Sequence, residues 1–532
     1  MKRILPFFFL FSFFAAAHAQ VEEDITMAKP TSESELQQAM RKLTLAQFAI
    51  NRFYVDTVNT ARLTEDAING MLKSLDPHSS YTNAKQTKSL NEPLNGNFEG
   101  IGVQFTMLED TLVVIQAVPK GPSQKAGVQA GDRIVTVNDT AIAGVKMPQT
   151  QIMNRLRGRK GTHVVLGIRR VGVPELIKIE VVRDKIPLHT LDAAYMLTPR
   201  IGYIRFSSFG LTTPDEVREA IQKLQGKGMK DLILDLQENG GGYLEPAGRI
   251  AGEFLQKDDL IVYTKGRSVR PTEIRAKGGG IFSKGKLAVL IDEYSASAAE
   301  ILSGAIQDHD RGIIVGRRSF GKGLVQQPIP LPDGSMIRLT VARYYTPSGR
   351  CIQKPYKKGE SEAYRLDLIN RYRNGELQSP DSIHLTDSLK YQTLRRHRTV
   401  YGGGGIMPDY FVPLDTTRTT RYYRELLTKG VVLPQANRYI DNHRRQLTAD
   451  YTDFADFKKR FNAPNDFVEA VFAAGEKLNV RPKDDAEKAR TVPLVQKLLK
   501  ALAARDTWDT SEYFEIVNEN DATINKALEL LK

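Results

Sequence analysis

The sequence of 532 residues contains a single cysteine, Cys351. One thiol cannot form an internal disulfide bond, so the disulfide framework of many exported proteins is excluded. Because the sequence also has no cluster of histidine and cysteine residues, we expect no structural zinc site. Cys351 lies in a strand-like run, residues 350–353, where we expect it to be a small buried hydrophobic residue.

Long hydrophobic runs are also missing after the N-terminus, where no stretch approaches about 18 uninterrupted apolar residues. We therefore expect a soluble mature chain. At the N-terminus, Lys2 and Arg3 precede an apolar run, and a small-x-small sequence ending at Ala19 follows. This order is typical of a secretory signal peptide, residues 1–19, with cleavage near Ala19. The sequence predicts an exported protein of the periplasm or cell envelope.

The third missing feature is a long basic block. The 75 lysine and arginine residues are interspersed with 62 aspartate and glutamate residues, and the net charge is +13. Proteins that bind nucleic acids concentrate basic and aromatic residues, so we expect no nucleic-acid partner. A positive net charge leaves peripheral contact with an anionic membrane open. The sequence also leaves homo-oligomerisation open.

The length and the changes of pattern predict a multidomain chain of mixed α/β and α+β class. An amphipathic helical pattern at the N-terminus ends near Pro77, which cannot continue a helix. His78, in the turn beside this proline, is expected to be a structural hydrogen-bonding residue. In chain order we expect an N-terminal helical region (residues 20–95), a small β-domain (96–185), an α/β core (186–414) with a surface insertion (357–398), and a C-terminal helical region (415–532).

The small β-domain carries a specific motif. Ser123-Gln-Lys-Ala-Gly127 is followed by Ala130-Gly-Asp-Arg-Ile134 among short strand-like runs. This set resembles a PDZ domain, in which backbone N–H groups receive the C-terminal carboxylate of a peptide that adds as a strand. A β-domain that binds nothing is the alternative. The resemblance implies that the carboxylate-binding loop and strand start consist of Gly100, Ile101, Gly102 and Val103.

The α/β core alternates apolar, β-branched runs with helical patterns. Such runs are typical of parallel strands that are covered by helices on both faces of the sheet. A helix is expected from Thr213, because Thr213-Pro-Asp-Glu216 fits a capping box. The expected strands are Ile201–Phe206, Asp231–Leu236, Leu287–Ile291 and Gly312–Val315.

A candidate nucleophile, Ser297, stands at an expected helix start after one of these strands. Ser297 and Glu300 fit a capping box, which alone would explain a serine there. The same position also places free backbone N–H groups and the positive end of the helix dipole beside the hydroxyl, where an oxyanion would form. We expect the Ala298 N–H to be the first oxyanion donor and Gly241, in a glycine-rich turn, to supply the second.

The candidate base is a lysine. His309 is twelve residues beyond Ser297 in the same expected helix, roughly 15–18 Å away, and is excluded as a proton acceptor. Lys322 follows Ser297 by 25 residues among apolar neighbours, and burial can depress a lysine pKa by up to about 3–5 units. Gln326 can accept a hydrogen bond from Lys322 and orient it without adding charge. The arrangement predicts a serine-lysine peptidase that needs no metal or nucleotide.

Several segments together resemble the C-terminal (tail-specific) processing peptidases, over roughly residues 60–415. The resemblance implies that Ser297 is the nucleophile, Lys322 the general base and Gln326 the residue that orients it. It further implies that the embedded PDZ domain presents proteins or peptides with accessible C-termini. Gln237 and Gly240 depart from the family's pattern, which often has arginine and then proline or serine. The matching segments are Leu-Asp-Pro-His-Ser (75–79), the glycine turn after Asp235, Ser-Ala-Ser-Ala-Ala-Glu (295–300), Phe-Gly-Lys-Gly-Leu-Val-Gln (320–326), Tyr-Tyr-Thr-Pro-Ser-Gly (344–349) and Gly-Ile-Met-Pro-Asp (405–409).

Two other functions compete with this interpretation. Residues 316–322 follow a strand and match most of a nucleotide-binding P-loop, but Gly323 replaces the Ser/Thr that holds magnesium, and a strand pattern follows instead of a helix. The second alternative is a catalytically inactive scaffold that binds C-terminal peptides through the PDZ domain. The presence of Ser297, Lys322 and Gln326 argues against a scaffold.

Overall fold

The computed structural model describes residues 32–532. The expected signal peptide, with its cleavage site near Ala19, lies outside the described residues. Within residues 32–532 no helix has both the length and the apolar surface that crossing a membrane requires. The expected fold class is confirmed, because an α/β core and a small β-domain stand between helical regions at both ends.

The N-terminal helical region begins at a capping box. Ser32 Oγ accepts from the Glu35 N–H at 3.3 Å, and Glu35 Oε2 accepts from the Ser32 N–H at 2.8 Å. No residue of the first helix is buried. The elements of the region are α1 (Glu33–Phe53), α2 (Thr60–Lys73), β1 (Ser80–Thr82) and α3 (Ala84–Asn95).

The small β-domain has its own apolar core and one open sheet edge. Its main sheet is antiparallel in the order β3-β4-β5-β7-β8, and β6 pairs with β5. Since β3 pairs with β4 on one side alone, its other edge is available for an added strand. The pair β2–β9 joins the domain to the core. The elements are β2 (Asn97–Gly100), β3 (Val103–Leu108), β4 (Thr111–Ala117), α4 (Pro122–Lys125), β5 (Arg133–Val137), β6 (Thr140–Ala141), α5 (Gln149–Leu156), β7 (His163–Arg169), β8 (Ile177–Val182) and β9 (Asp184–Pro187).

A six-stranded sheet forms the centre of the α/β core, in the order β10-β11-β12-β15-β16-β21. The strands from β11 to β21 in this order run parallel, and β10 pairs antiparallel with β11. Every residue of β12 and β15 is buried, as expected for a sheet covered on both faces. The strands are β10 (Leu191–Met196), β11 (Ile201–Phe206), β12 (Asp231–Asp235), β15 (Leu287–Ile291), β16 (Ile313–Gly316) and β21 (Tyr410–Phe411).

Helices from distant parts of the sequence cover the two faces of this sheet. One face packs against α6 (Thr213–Gly226), α7 (Leu244–Gly252) and α8 (Ala298–Asp308). The other face is covered by α16 (Ala522–Leu531), whose buried apolar residues pack with those of β11, β12 and β15. The last helix of the chain is therefore part of the core, which its sequence pattern did not indicate.

The helix expected from Thr213 is present, but the capping box expected there is wrong. Thr213 is already helical, and no side chain caps this helix. Glu216 instead accepts hydrogen bonds from the N–H groups of Thr190 and Leu191, each at 2.9 Å. The carboxylate thus binds the backbone at the start of β10 rather than that of its own helix.

A second, antiparallel sheet lies beside the first, in the order β1-β18-β13-β14, with β17 also paired to β18. The segment after Lys322 is the strand β17, so the helix that a P-loop requires is not formed there. The strands are β13 (Leu260–Lys265), β14 (Thr272–Arg275), β17 (Leu324–Pro330) and β18 (Met336–Tyr345).

The segment expected as a surface insertion, residues 357–398, packs partly inside the core. It forms α9 (Ser361–Arg373), β19 (Lys390–Gln392) and, just beyond, β20 (Thr399–Tyr401). Arg371 is buried and donates to the carbonyl oxygens of Ser319 at 3.0 Å and Arg318 at 2.7 Å. The insertion therefore supports the loop that precedes Lys322, which the polar composition of the segment did not reveal.

The C-terminal helical region consists of helices, as expected. Six of them, α10 to α15, surround a separate apolar core that includes Leu426, Phe457 and Leu499. The helices are α10 (Arg421–Thr428), α11 (Val432–Asp450), α12 (Phe454–Arg460), α13 (Asn465–Lys477), α14 (Asp485–Thr507) and α15 (Thr510–Val517), followed by α16.

Candidate active site

Ser297 lies in a sharp turn between strand β15 and helix α8. Its backbone adopts φ 56° and ψ −113°, a conformation that residues with a side chain rarely take. Strain of this kind is typical of a nucleophile held on a strand-to-helix turn. The turn is at the carboxyl end of a parallel strand, where α/β sheets bind their ligands.

Lys322 lies in the loop between β16 and β17, and its Nζ donates to Gln326 Oε1 at 3.2 Å. The expected contact between the lysine and the amide is therefore present. Gln326 Nε2 in turn donates to the carbonyl oxygen of His78. Burial lowers the pKa of Lys322, Glu300 opposes this shift and Arg338 adds to it. The environment thus favours the neutral amine that a general base requires.

Ser297 and Lys322 line the same cavity of about 550 Å³, together with Gln326 and the glycine turn of residues 240–242. Within the described residues, the hydroxyl of Ser297 makes no hydrogen bond to the Lys322 amine, which is bound to Gln326. Helix α3 and the strands β17 and β18 contribute further walls, mostly with apolar side chains. The cavity is large enough for a few residues of an extended peptide.

Glu300 connects the nucleophile to the base. This fully buried carboxylate accepts from the backbone N–H of Ser297 at 2.8 Å and of Lys322 at 2.9 Å. It also accepts from the Gly321 N–H at 2.7 Å and from the Ser319 hydroxyl at 2.5 Å. Burial raises the pKa of Glu300, and the hydrogen bonds that it accepts oppose this shift. The capping-box pattern indicated the contact with Ser297, but not the contacts with the lysine loop.

Tyr344 holds the same two residues from their carbonyl side. Its buried hydroxyl donates to the carbonyl oxygen of Lys322 and lies 3.2 Å from that of Ser297. Burial raises the pKa of Tyr344 well above its ordinary value, so the hydroxyl remains a donor. Glu300 and Tyr344 together fix the backbone of Ser297 relative to that of Lys322. Tyr344 belongs to one of the matching sequence segments, but sequence analysis assigned it no role, because β18 reaches this site through tertiary folding.

The two expected oxyanion donors differ in availability. The Ala298 N–H, at the first position of α8, has no acceptor within residues 32–532. Gly241, at φ 96°, lies so close to the nucleophile that an added Cβ would be 2.8 Å from Ser297 Cβ. However, its N–H donates to Asn239 Oδ1 at 2.9 Å. In this conformation Gly241 is in the expected place, but its N–H does not face a substrate oxygen.

Asp292 joins the glycine turn to the nucleophile loop. Its Oδ1 accepts from the N–H groups of Glu238 and Tyr294, each at 3.0 Å, and of Ser295 at 3.1 Å. Burial raises the pKa of Asp292 to about 6. The side chain fixes the position of the proposed oxyanion loop, and no sequence motif pointed to it.

Two histidines have structural contacts. His309 Nε2 is 2.7 Å from the carbonyl oxygen of Leu260, and His309 does not line the cavity. His78 Nε2 is 2.8 Å from the Tyr364 hydroxyl, so the expected structural role of His78 is confirmed. Burial lowers the pKa of His78 to about 4, and the nearby Lys322 adds to this shift. The contact of its carbonyl oxygen with Gln326 was not expected from the sequence.

The expected peptide-binding loop lies at the open edge of the small β-domain. Three of its four residues, Ile101, Gly102 and Val103, line a cavity of about 110 Å³ next to helix α5. Gly100 is not part of this lining, because it ends β2 and pairs with Asp184 of β9. The loop is therefore placed where a peptide terminus would meet the free edge of β3.

Four segments of the chain match known protein families. Residues 200–359 match peptidase family S41, and residues 100–181 match the PDZ domain. Residues 6–86 match the N-terminal domain of the activating protease CtpB. Residues 422–509 match a family of unknown function.

Curated proteins and solved structures are similar over longer stretches. A carboxy-terminal-processing protease of Bartonella bacilliformis is 40% identical over 305 residues, which cover 56% of this chain and 69% of that protein. The carboxy-terminal processing protease CtpB of Bacillus subtilis is 32% identical over 371 residues, covering 68% and 76%. The solved structure of a photosystem II D1 C-terminal processing protease matches 70% of this chain and 92% of that one, at 27% identity and a TM-score of 0.35.

Proposed function

Because this chain belongs to peptidase family S41, among the carboxy-terminal processing proteases, we propose that it cleaves exported proteins at or near their C-termini with Ser297 as nucleophile and Lys322 as general base. One observation carries the proposal. Both side chains line one cavity, and Glu300 binds the backbone N–H groups of both residues. The signal-like N-terminus supports a location in the periplasm or cell envelope.

In the first step the neutral amine of Lys322 accepts the proton of the Ser297 hydroxyl. The serine oxygen then forms a bond to the carbonyl carbon of the substrate, and the carbonyl electron pair moves onto its oxygen. The Ala298 N–H stabilises this oxyanion at the positive end of α8. The flexible side chain of Lys322 turns from Gln326 toward the serine for the transfer, a movement that substrate binding would favour.

The intermediate then breaks down. The protonated Lys322 gives its proton to the leaving amine as the carbon–nitrogen bond breaks, which leaves an ester between the substrate and Ser297. Lys322 next removes a proton from a water molecule, whose oxygen attacks the ester carbon. The bond between that carbon and the Ser297 oxygen then breaks, Lys322 returns the proton to this oxygen, and the second product leaves. No metal, nucleotide or other cofactor takes part in this sequence.

Gly241 is the proposed second oxyanion donor. On substrate binding, its N–H would leave the Asn239 side chain and donate to the substrate oxygen instead. A rotation of the peptide group between Gly240 and Gly241 would allow this change of acceptor. The proximity of Gly241 to Ser297 and Ala298 supports this assignment.

The substrate is proposed to arrive by its tail. The loop of Ile101, Gly102 and Val103 would bind the terminal carboxylate, and the tail would pair with β3. The apolar lining of the catalytic cavity, which includes Leu244, Ile301 and Leu324, favours an apolar side chain near the scissile bond.

Cleavage of a reporter protein with an apolar C-terminal tail tests the proposal. The unmodified chain and the Ser283→Ala variant, which changes an exposed serine, should release the same C-terminal fragment in mass spectrometry. Ser297→Ala and Lys322→Ala should release none and still bind the tail peptide. Binding without cleavage by the unmodified chain would instead support the inactive scaffold, and cleavage by Ser297→Ala would exclude the proposed nucleophile.

A further inference from the structure

The C-terminal helical region touches both the α/β core and the PDZ domain. Residues 422–509 of this region match a family of unknown function, so its role has to come from its contacts. The two contacts differ in chemistry, and this difference suggests a mechanical role for the region.

The contact with the α/β core is largely apolar and integral to the fold. Ile524, Ala527 and Leu531 of α16 are buried in one cluster with residues of the central sheet. Helix α15 adds Phe514, whose ring centroid is 4.9 Å from the guanidinium of Arg205. Removing this contact would expose a face of the sheet, so we expect the region to stay attached to the core.

The contact with the PDZ domain is polar and is made by one face of α11. Asp441 accepts from Arg133 at 2.6 Å, and Asn437 Nδ2 donates to Thr106 Oγ1 at 2.7 Å. Arg438, the residue after Asn437, pairs with Glu109 at 2.7 Å. The apolar cores of the two regions form separate clusters. Because hydrogen bonds to charged groups are directional, these contacts define the orientation of the PDZ domain relative to α11 although the two apolar cores remain separate.

The contact leaves the peptide groove open. Thr106 follows Phe105 on β3, and because side chains alternate along a strand, it points away from the face on which Phe105 packs against the domain core. Arg133, on β5, meets the same helix. The free edge of β3 beside α5 stays uncovered by α11. Helix α11 thus contacts the PDZ domain on the side opposite the peptide groove.

We infer that the C-terminal helical region, through α11, fixes the position of the PDZ domain relative to Ser297. The domain also continues into the core through the β2–β9 pair, and Arg157 forms an ion pair at 2.6 Å with Glu92 of α3 in the N-terminal helical region. A groove kept at one distance presents a captured tail to the cavity at high effective concentration. This consequence for cleavage rests on the proposed function, whereas the docking of the PDZ domain does not.

The position of the PDZ domain can be measured with two spin labels. In a Cys351→Ser background, labels at the exposed positions of Lys178→Cys and Asp215→Cys report the distance between PDZ domain and core. We expect one narrow distance distribution. Asp441→Arg should broaden it, and the exchanged pair Arg133→Asp with Asp441→Arg should narrow it again. Glu476→Arg, which reverses a charge in an exposed ion pair of the same region, is the matched control and should leave it narrow. An unchanged width in Asp441→Arg, or no recovery in the exchanged pair, would overturn the inference.

Cleavage kinetics test the consequence for substrates. Asp441→Arg should lower kcat/KM roughly tenfold for a reporter with a free apolar tail, because alignment of the captured tail is lost. The kcat/KM for a short peptide with an amidated C-terminus should stay the same, since that peptide does not use the groove. Equal losses for both substrates, or none, would contradict the positioning role. Absence of cleavage by the unmodified chain would refute the proposed function. The spin-label distances would still show whether α11 fixes the position of the PDZ domain.

Discussion

Around Ser297, buried charged and polar side chains fix the backbone of two loops, whereas around Gly102 the backbone itself and apolar side chains form the groove. The catalytic cavity belongs to a sheet that is covered on both faces. The groove lies at the uncovered edge of a small sheet. The two sites of substrate contact therefore place different demands on the sequence.

The difference follows from what each site has to do. Proton transfer requires the nucleophile and the base to be held within a few tenths of an ångström, and buried hydrogen-bonded carboxylates such as Glu300 and Asp292 supply that order. Capture of a tail requires unpaired backbone groups on an accessible strand. Substitutions at the first site should therefore change kcat, and those at the second should change binding.

The largest effect is expected for Glu300→Gln. The variant keeps the size of the side chain but has one acceptor oxygen, whereas the four donors around Glu300 share two in the unmodified chain. We expect kcat to fall about a hundredfold and the free energy of unfolding to fall by about 2 kcal/mol. Steady-state kinetics and urea denaturation measure the two quantities.

Glu253→Gln is the matched control for this variant. Glu253 is a half-buried carboxylate of the same core that pairs with Arg218 at 2.7 Å, away from the cavity. Its loss should lower stability and leave kcat unchanged. Equal kcat in both variants would mean that Glu300 contributes to stability alone.

Tyr344→Phe sharpens the same point with a smaller change. The ring stays in place, but the hydrogen bond to the carbonyl oxygen of Lys322 and the 3.2 Å contact with that of Ser297 are lost. We expect kcat to fall about five- to tenfold, the equivalent of one hydrogen bond, with KM unchanged. Tyr345→Phe, which changes the neighbouring residue stacked on Tyr263, should behave like the unmodified chain. A rise in KM instead would assign the hydroxyl to substrate binding.

Gly102→Val tests the other side of the comparison. Gly102 has φ 73°, and an added Cβ would lie 2.8 Å from Ile186 Cδ1. We expect the Kd for a C-terminal tail peptide to rise about tenfold, since a β-branched residue is strained at this φ. Cleavage of an amidated short peptide should be unchanged.

Gly127→Val provides the control within the same domain. Gly127 has φ 90° with open space around it and does not line the groove. The variant carries the same backbone strain without blocking the peptide. If both variants bound the tail equally weakly, domain stability rather than the loop would explain the loss.

The smallest effect concerns pH and Asp292. Burial raises the pKa of Asp292 from 3.8 to about 6. Between about pH 4 and 6, Asp292 is therefore protonated in the folded chain and ionised in the unfolded chain. The free energy of unfolding should therefore fall as pH rises through this window, by up to about 1.4 kcal/mol per pH unit for one proton. Asp292→Asn should flatten the slope between about pH 4 and 6 in denaturation series. An unchanged slope would place the raised pKa elsewhere, for example at Asp192, whose pKa burial also raises to about 6.

Local patterns in the sequence located the elements that carry the catalytic residues. The run Leu287–Ile291 predicted its strand to the residue, and Ser297 was expected at the start of the helix that follows. The hydrogen bond between Lys322 and Gln326 was also expected, because the amide oxygen of Gln326 can accept from the lysine and orient it without adding charge.

What the sequence did not reveal depends on contacts between distant residues. The carbonyl oxygen of His78 holds Gln326 from 248 positions away, and Tyr344 reaches Lys322 from a strand of the second sheet. The amphipathic pattern of α16 predicts a helix but not the sheet that it covers. Local periodicity encodes which residues are buried, whereas the partner of a buried residue is decided by the tertiary fold.

The central claim is that a neutral Lys322 removes the proton of Ser297. The most direct test is the rate at which an acylating substrate analogue modifies the protein, measured across pH, with the modified residue located by mass spectrometry. We expect the adduct on Ser297. The modification rate should fall as the pH decreases, because the Lys322 amine, whose pKa is lowered, becomes protonated. The Lys322→Ala variant should react only slowly, and its rate should no longer follow this pH dependence. An adduct on another residue, or the same rate and pH profile in Lys322→Ala, would contradict the account.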